Sequence, residues 1–425
     1  MGNKKKLSVM ENGKIMKKIL VAGPVFSRSG YGEHARFVVD ALSSRPDLFD
    51  VYIYPLEWGH SNWTSGNQQK SNYYTYLMEK TARHIQQSKG WDVHIQVTIP
   101  SEWVSDIAPC NIGITAGVET DRLPESWKTN ILQMDKIIVT STHIKELFEK
   151  ALAGNKNIEV EAVAYPVKEL VPTGLASQIQ LDTDFNFLTI AQYAPRKNLL
   201  NTIKWFVEEF REDEVGLVVK SHMRNNSYPD SVQLDTLLRG FVGQLGPSKC
   251  QVYLLTGAMS DQEVHGLYIH PKIRAYVTAT HGEGFGLPIY EAAYSGLPVI
   301  APAWSGQTDF LYCPFEKRTG KIERRAHFEK VGFEVAELEE IHLMPNTLEK
   351  GMKWCYPKEK KFKKAMRDVY SSPIPREKTA GHLKEYLVDT FSDEKQLKKM
   401  WTAINEGIGV EKNTNNAEVL KVDTL

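Results

Sequence analysis

Residues 274–311 read RAYVTATHGEGFGLPIYEAAYSGLPVIAPAWSGQTDFL. They constrain the fold more than any other stretch. An apolar run rich in strand formers (275–279) meets a glycine-rich turn (281–286). A short helix follows (288–295), then a second apolar strand (297–302). Pro288 suits the first turn of that helix, where its missing N–H costs nothing. Gly296 suits its end, where a left-handed residue closes the last turn. Strand, loop, helix and strand in this order describe one unit of a parallel α/β sheet.

The unit also predicts chemistry. Ligands of open α/β sheets lie beyond the carboxyl ends of the strands. A helix starting there aims free N–H groups and a partial positive charge at the ligand. Gly284 and Gly286 lack the Cβ atoms that would hold an anion away. Glu283 stands on the loop and Glu291 about a turn into the helix. Neither carboxylate suits a phosphate, which it repels, but each can accept from sugar hydroxyls. Two hydroxyl acceptors flanking a phosphate site fit a sugar–diphosphate–ribose ligand, which is a nucleotide sugar.

The run from Glu283 to Glu291 (EGFGLPIYE), with Ala292, Ser295 to Ile300 (SGLPVI) and Gly306, resembles the nucleotide-sugar signature of retaining glycosyltransferases of family 4. That resemblance implies the GT-B architecture, two Rossmann-like domains facing a central cleft. It implies that Glu283 holds the transferred sugar and Glu291 the ribose diol. The backbone amides of Gly284, Phe285, Gly286 and Leu287 would then meet the sugar and diphosphate.

Other segments fit the same resemblance. Residues 18–23 (KILVAG) form a first strand, followed by a glycine-bearing loop and a helix over 33–43. The resemblance places Gly30 and Gly32 near the donor diphosphate, with Ser29 and Tyr31 as further contacts. A strand over 50–56 leads into a long polar loop with two tryptophans, over 57–72. Strands over 92–97 and 111–115 precede the segment GVETDRLP (117–124), which in the family lines the reaction centre. Glu119 and Asp121 are its candidate catalytic residues here, and Thr120 lies between them. A helix over 125–134 and a strand over 136–140 come next, with Ser141 as the cap of another helix. A strand over 159–165 ends this half.

Residues 166–182 form a connector containing Pro, Gly and Ser. Asp182 and Asp184 have the D-x-D spacing of a metal motif, but they precede a strand instead of following one, as an ordinary connector would. The second half opens with a strand over 185–192 and the run YAPRKN (193–198). Two cations at a strand end and a helix start suit a diphosphate leaving group. The resemblance gives Lys197 and its neighbour Arg196 that role. Many relatives carry an arginine near Gln192; here either one cation is missing or Arg196 or Lys220 supplies it. Strands over 215–220 and 251–255 and a helix over 261–270 precede the central unit. Residues 314–340 read as charged and irregular, and helices run from 379 to 404.

With 425 residues the chain accommodates two domains. The expected division is a leader (1–17), an acceptor-side domain (18–170), a nucleotide-sugar domain (183–385), a helix crossing back (386–405) and a tail (406–425). The formal net charge is zero, which leaves no general footprint for nucleic acid, although a local patch would still admit a nucleic-acid acceptor. No apolar run reaches membrane-spanning length. Cys110, Cys250, Cys313 and Cys355 share no metal-ligand or C-x-x-C spacing. A cytoplasmic setting follows, with a peripheral place at the membrane left open.

The expected activity is transfer of a sugar from a UDP- or GDP-linked donor to an acceptor hydroxyl, with retention at the anomeric carbon. No cofactor and no metal are required, the nucleotide sugar being a co-substrate. The acceptor is a glycan, a lipid-linked sugar or another hydroxyl compound. Two alternatives share the fold: a non-catalytic sugar-nucleotide binder and a nucleotide-sugar epimerase. Donor base, linkage and oligomeric state are not legible.

Overall fold

A computed structural model describes residues 16–58, 61–63, 68–153, 157–171 and 179–408. Two parallel sheets organise it. The first runs β2-β1-β3-β4-β5-β6, from β1 (Lys17–Gly23), β2 (Phe49–Pro55), β3 (Val93–Val97), β4 (Cys110–Thr115), β5 (Lys136–Val139) and β6 (Glu159–Ala162). Its central strands are buried, as a sheet covered on both faces demands, with β1 apolar from Ile19 and β3 enclosing His94 and Gln96 among apolar residues. The helices of this half are α1 (Gly30–Ser43), α2 (Gln68–Gln86), α3 (Lys128–Ile131) and α4 (Thr142–Ala151). Ser29 and Ser141 cap α1 and α4 with their hydroxyls.

The second sheet is built from β7 (Asn186–Gln192), β8 (Gly216–His222), β9 (Gln251–Leu255), β10 (Ile273–Val277) and β11 (Val299–Pro302). Its edge strand β14 (Glu329–Val331) completes the order β14-β11-β10-β7-β8-β9. Every pairing in it is parallel. The order reverses direction between β7 and β10, and in the first sheet between β1 and β3. Ligands of doubly wound sheets bind at such switch points. In this half lie α5 (Leu199–Glu209), α6 (Tyr228–Gln244), α7 (Asp261–Tyr268), α8 (Leu287–Ser295) and α9 (Thr308–Leu311). This is the two-Rossmann arrangement that the sequence implies.

Residues 314–340 differ from the irregular segment expected. Strand β12 (Tyr312–Glu316) pairs antiparallel with β13 (Ile322–Ala326), and β15 (Phe333–Glu337) with β16 (Lys353–Pro357). Strands β12, β13 and β15 are largely exposed, so they carry charge instead of an apolar alternation. Cross-strand contacts replace burial: Arg325 stacks on Phe315, and Lys317 pairs with Glu323. Strand β16 is also a strap. Met352 and Trp354 join the apolar cluster of Trp103, Trp127 and Phe148 in the first half.

Helices α2 and α6 have no counterpart in the sequence reading. The buried stripe of α2 is Tyr74, Leu77, Thr81 and His84, and that of α6 is Asp230, Leu234 and Leu238. Polar residues inside narrow stripes hide the helical period. Most of α2 lies beyond the loop expected over 57–72, and its first residues begin inside it. The helix expected over 125–134 is a 3₁₀ turn (Glu125–Trp127) followed by the short α3.

The chain ends with α10 (Glu359–Ser371), α11 (Pro373–Thr390) and α12 (Asp393–Gly407). Met400, Ala403 and Ile404 on α12 pack into the core beside α1 of the first half. Val167 N–H donates to Phe391 O at 2.8 Å. Of the expected leader (1–17) and tail (406–425), residues 1–15 and 409–425 lie outside the described residues, while β1 begins at Lys17 and α12 runs to Gly407. No helix among the described residues is long and apolar enough to cross a membrane.

Candidate functional site

The carboxyl ends of both sheets face one cavity of about 540 Å³. The loop after β7 brings Arg196 and Lys197 to it on a 3₁₀ turn, Pro195–Lys197. Asn198 then adopts a left-handed conformation (φ 52°) and starts α5, while its amide donates to Ala279 O at 3.0 Å. That bond ties the basic turn to the loop after β10, which carries Glu283. Tertiary geometry thus brings 196–197 and 283 together.

Glu283 is buried and charged. Lys197 Nζ lies 2.8 and 2.6 Å from its two carboxylate oxygens, and Arg196 Nη1 lies 3.0 Å from Oε2. Thr280 Oγ1 donates at 3.0 Å and Ser305 Oγ accepts from the Glu283 N–H at 2.8 Å. Burial would raise this carboxyl group, but Lys197 and Arg196 outweigh it and hold it at about 2. Burial lowers the Lys197 amine, with Arg196 adding to the effect and Glu283 opposing it.

The first half supplies Glu119. Its carboxylate accepts from Gly284 N–H at 3.2 Å and stands 3.2 Å from Arg196 Nη1. Burial raises its pKa, and Arg196 opposes the shift. Gly284 shows why a side chain is excluded here. A Cβ would lie 2.5 Å from the Ala116 carbonyl of the first half. The glycine therefore permits contact between the halves, which refines the expectation that it clears space for an anion. Thr140 and Ser141 hydroxyls donate to the Gly284 carbonyl across the same contact. Gly286 (φ 97°) turns the chain into α8.

Glu291 belongs to a separate cluster on the same cavity. Tyr268 OH donates to it at 2.9 Å. Burial lifts its carboxyl to about 7, although Lys168 and the tyrosine bond pull the other way. Lys168 itself is engaged by Glu33 at 2.6 Å and Asp261 at 3.4 Å. Arg28 of the first half reaches Asp261 at 3.2 Å. Glu291 is thus partly buried with no cation among the described residues within ion-pair distance, a poor place for a charge and a good one for hydroxyl donors.

The expected site residues divide as follows. Gly30, Glu119, Arg196, Lys197, Glu283, Gly284, Phe285, Gly286, Leu287 and Glu291 all line the cavity. Phe285 does so from the core, packed on Tyr165, Tyr290 and Phe310. Ser29 and Tyr31 line it too, and the Tyr31 hydroxyl pairs with Thr115 Oγ1 at 2.8 Å.

Gly32 and Asp121 are not among its lining residues. A Cβ on Gly32 would meet Ser27 O at 2.0 Å, so its role is to close the turn into α1. Asp121 accepts from Lys353 N–H at 2.7 Å and donates its own N–H to Lys353 O at 2.9 Å. It clamps β16, whose Cys355 carbonyl bonds His281 Nδ1 at 2.6 Å. Asp121 thus supports the glycine loop from behind. Asp182 and Asp184 are exposed and lie outside the cavity, where Asp184 pairs with Lys272.

Sequence reasoning passed over Arg28, Lys168, Asp261 and Tyr268. The signal for Arg28 was its place in the β1–α1 loop. For the others it was their position at the mouth of a sheet whose switch point was not yet known.

No protein-family model and no curated protein matches the sequence. Solved structures do resemble the fold. The Anabaena protein HepE, solved with UDP and glucose, superposes with a TM-score of 0.60 at 13% identity, over 92% of this chain and 100% of that one. Sucrose-phosphate synthase of Thermosynechococcus elongatus gives 0.59 at 13%, over 92% and 98%. A UDP-forming α,α-trehalose-phosphate synthase of Burkholderia xenovorans gives 0.61 at 9%, over 93% and 100%. At these identities the likeness establishes the architecture: the chain has the GT-B fold.

Proposed function

We propose that the chain is a glycosyltransferase of the family 4 type, transferring a hexose from a nucleoside diphosphate donor to an acceptor hydroxyl with retention. One observation carries the reading. A single cavity at the β7/β10 switch point joins a buried carboxylate–cation cluster, around Glu283, to a high-pKa carboxyl group, Glu291. The first can grip a sugar beside its leaving group, and the second can accept from a ribose diol.

In this reading the diphosphate lies between them, against the amides of residues 284–287 and the start of α8. The bond from the anomeric carbon to the phosphate oxygen breaks. The acceptor oxygen bonds to that carbon on the same face, and its proton passes to the departing phosphate. Arg196 and Lys197 stabilise the charge that develops there. This requires Glu283 to shift from its cations to the sugar hydroxyls as donor binds. Glu119 lies beside both groups and would orient the acceptor. No metal step is needed. The acceptor class stays a glycan, a lipid-linked sugar or another hydroxyl compound.

The test is incubation with UDP- and GDP-hexoses, read by proton NMR. Slow donor hydrolysis that first releases the donor's own anomer, or a transfer product of that configuration, is expected. Release of the opposite anomer would refute retention. Saturable donor binding with no turnover under any acceptor would favour the non-catalytic alternative.

A further inference from the structure

The charges of the cavity are unevenly balanced. Arg196 and Lys197 face Glu119 and Glu283, two cations against two carboxylates within ion-pair distance. Arg28 and Lys168 are likewise engaged, by Asp261 and Glu33. Lys220 differs. It ends the apolar run of β8 and lines the cavity, with 7% of its surface exposed. Its Nζ donates to the Gly257 carbonyl at 2.7 Å, and no carboxylate among the described residues pairs with it. The charge that perturbs it is another cation, Arg28.

Its place in the sheet adds to this. Lys220 stands opposite Ile190 in the β7–β8 register, and His222 stands opposite Gln192. All of them line the cavity at the strand ends, just before the Arg196–Lys197 turn. Gln192 offers no charge, and its amide is spent on Met223 O at 2.9 Å. Lys220 therefore brings positive charge from the neighbouring strand to the region where position 192 brings none.

We infer that Lys220 is the anion-binding residue that draws the donor diphosphate into the empty cavity. The inference rests on the proposed function and names a group within that site. A buried cation without a counter-charge is costly in the free protein, and the arriving phosphate removes that cost. The charge-balanced Arg196–Lys197–Glu283–Glu119 set exerts little net attraction until Glu283 is displaced. Lys220 thus governs donor affinity, while Lys197 and Arg196 act on the charge that develops in transfer. Burial and Arg28 pull its amine down to about 8, as expected of a cation awaiting a partner.

Wild type, Lys220→Met and Lys220→Arg are titrated calorimetrically with UDP, GDP and ADP and with the parent nucleosides. Lys220→Met should weaken the diphosphate that wild type binds by about 10- to 100-fold, the effect of one charge-assisted contact. Its nucleoside affinity should stay within about twofold of wild type, and Lys220→Arg should recover most of the diphosphate affinity. Equal losses for nucleoside and diphosphate would overturn the inference, since Lys220 would then only prop the loop at Gly257. Unchanged diphosphate affinity in Lys220→Met would also overturn it and leave the proposed function standing. If wild type binds none of the three, that function falls, and inorganic pyrophosphate decides the subsite alone. Pyrophosphate bound by wild type and lost in Lys220→Met supports it, and no pyrophosphate binding overturns it.

Discussion

Donor binding should follow a bell-shaped pH profile whose two arms belong to two named residues. Glu291 has a pKa of about 7 and Lys220 one of about 8 in the empty protein. The ribose diol donates to an ionised Glu291, so affinity should rise with pH through about 7. The diphosphate needs a protonated Lys220, so affinity should fall again above about 8. At pH 7.5 about three quarters of each group is in the useful form, and roughly 60% of molecules have both. At pH 6 or pH 9 that fraction is about 9%, so affinity drops about sixfold on each side.

The surroundings of both groups matter to this assignment. Glu291 faces Tyr268 from α7, Lys168 from the connector, and Asp261 and Glu33, which are themselves engaged with Lys168. Lys220 faces Arg28, and His222 on its own strand is held below its ordinary value by burial and by Lys220. The assay is a calorimetric titration with the sugar-linked diphosphate, whose phosphates stay ionised across the range. Glu291→Gln should flatten the acidic arm and Lys220→Arg the alkaline arm. A flat wild-type profile between pH 6 and 9, or an acidic arm surviving in Glu291→Gln, would refute the reasoning.

Glu283 is held at about 2, below its unfolded value, so it stabilises the fold above about pH 4.5 and loses that contribution as pH falls toward 2. Glu283→Gln should remove up to about 3 kcal/mol at neutral pH and shallow the acid-unfolding transition, measured by urea melts across pH, while lowering turnover more than donor affinity. Glu291 has the opposite sign: its pKa is raised from 4.5 to about 7, so stability falls as pH rises between those values and the full cost is in place above about pH 7. Glu291→Gln should therefore raise the melting temperature of the empty protein at pH 8, by about 1–3 kcal/mol of stability, while weakening nucleotide binding. Gly284→Ala should push its new methyl against the Ala116 carbonyl, expected at 2.5 Å without adjustment. Scattering should show a wider cleft and kinetics at least a tenfold lower kcat, whereas a purely local glycine would leave the scattering curve unchanged.

Much of the framework was legible in the sequence, for physical reasons. Buried parallel strands such as KILVAG and VGLVVK are continuous apolar runs, which no loop or surface helix resembles. The glycine turn at 281–286 and the cap at Gly296 mark the ends of α8 through backbone conformation, which is a local property. The pairing of Lys197 with Glu283 was not legible, because it joins residues 86 apart through the β7/β10 switch point. Asp121 reads as a candidate catalytic residue in GVETDRLP, and only the position of β16 shows it holding a strand. Helix α2 escaped because Thr81 and His84 stand where apolar residues would show the period. Strands β12 and β13 escaped because exposed hairpins are stabilised by charge pairs, which look like a solvated loop when read in order.

The proposed function requires the cavity to take a nucleoside diphosphate through Glu291. Calorimetric titration of wild type and Glu291→Ala with UDP, GDP and ADP, with and without Mg²⁺, measures this directly. The prediction is one site per chain for a single diphosphate, independent of Mg²⁺, and at least tenfold weaker in Glu291→Ala. Failure of all three to bind wild type, or equal binding by the variant, would contradict it.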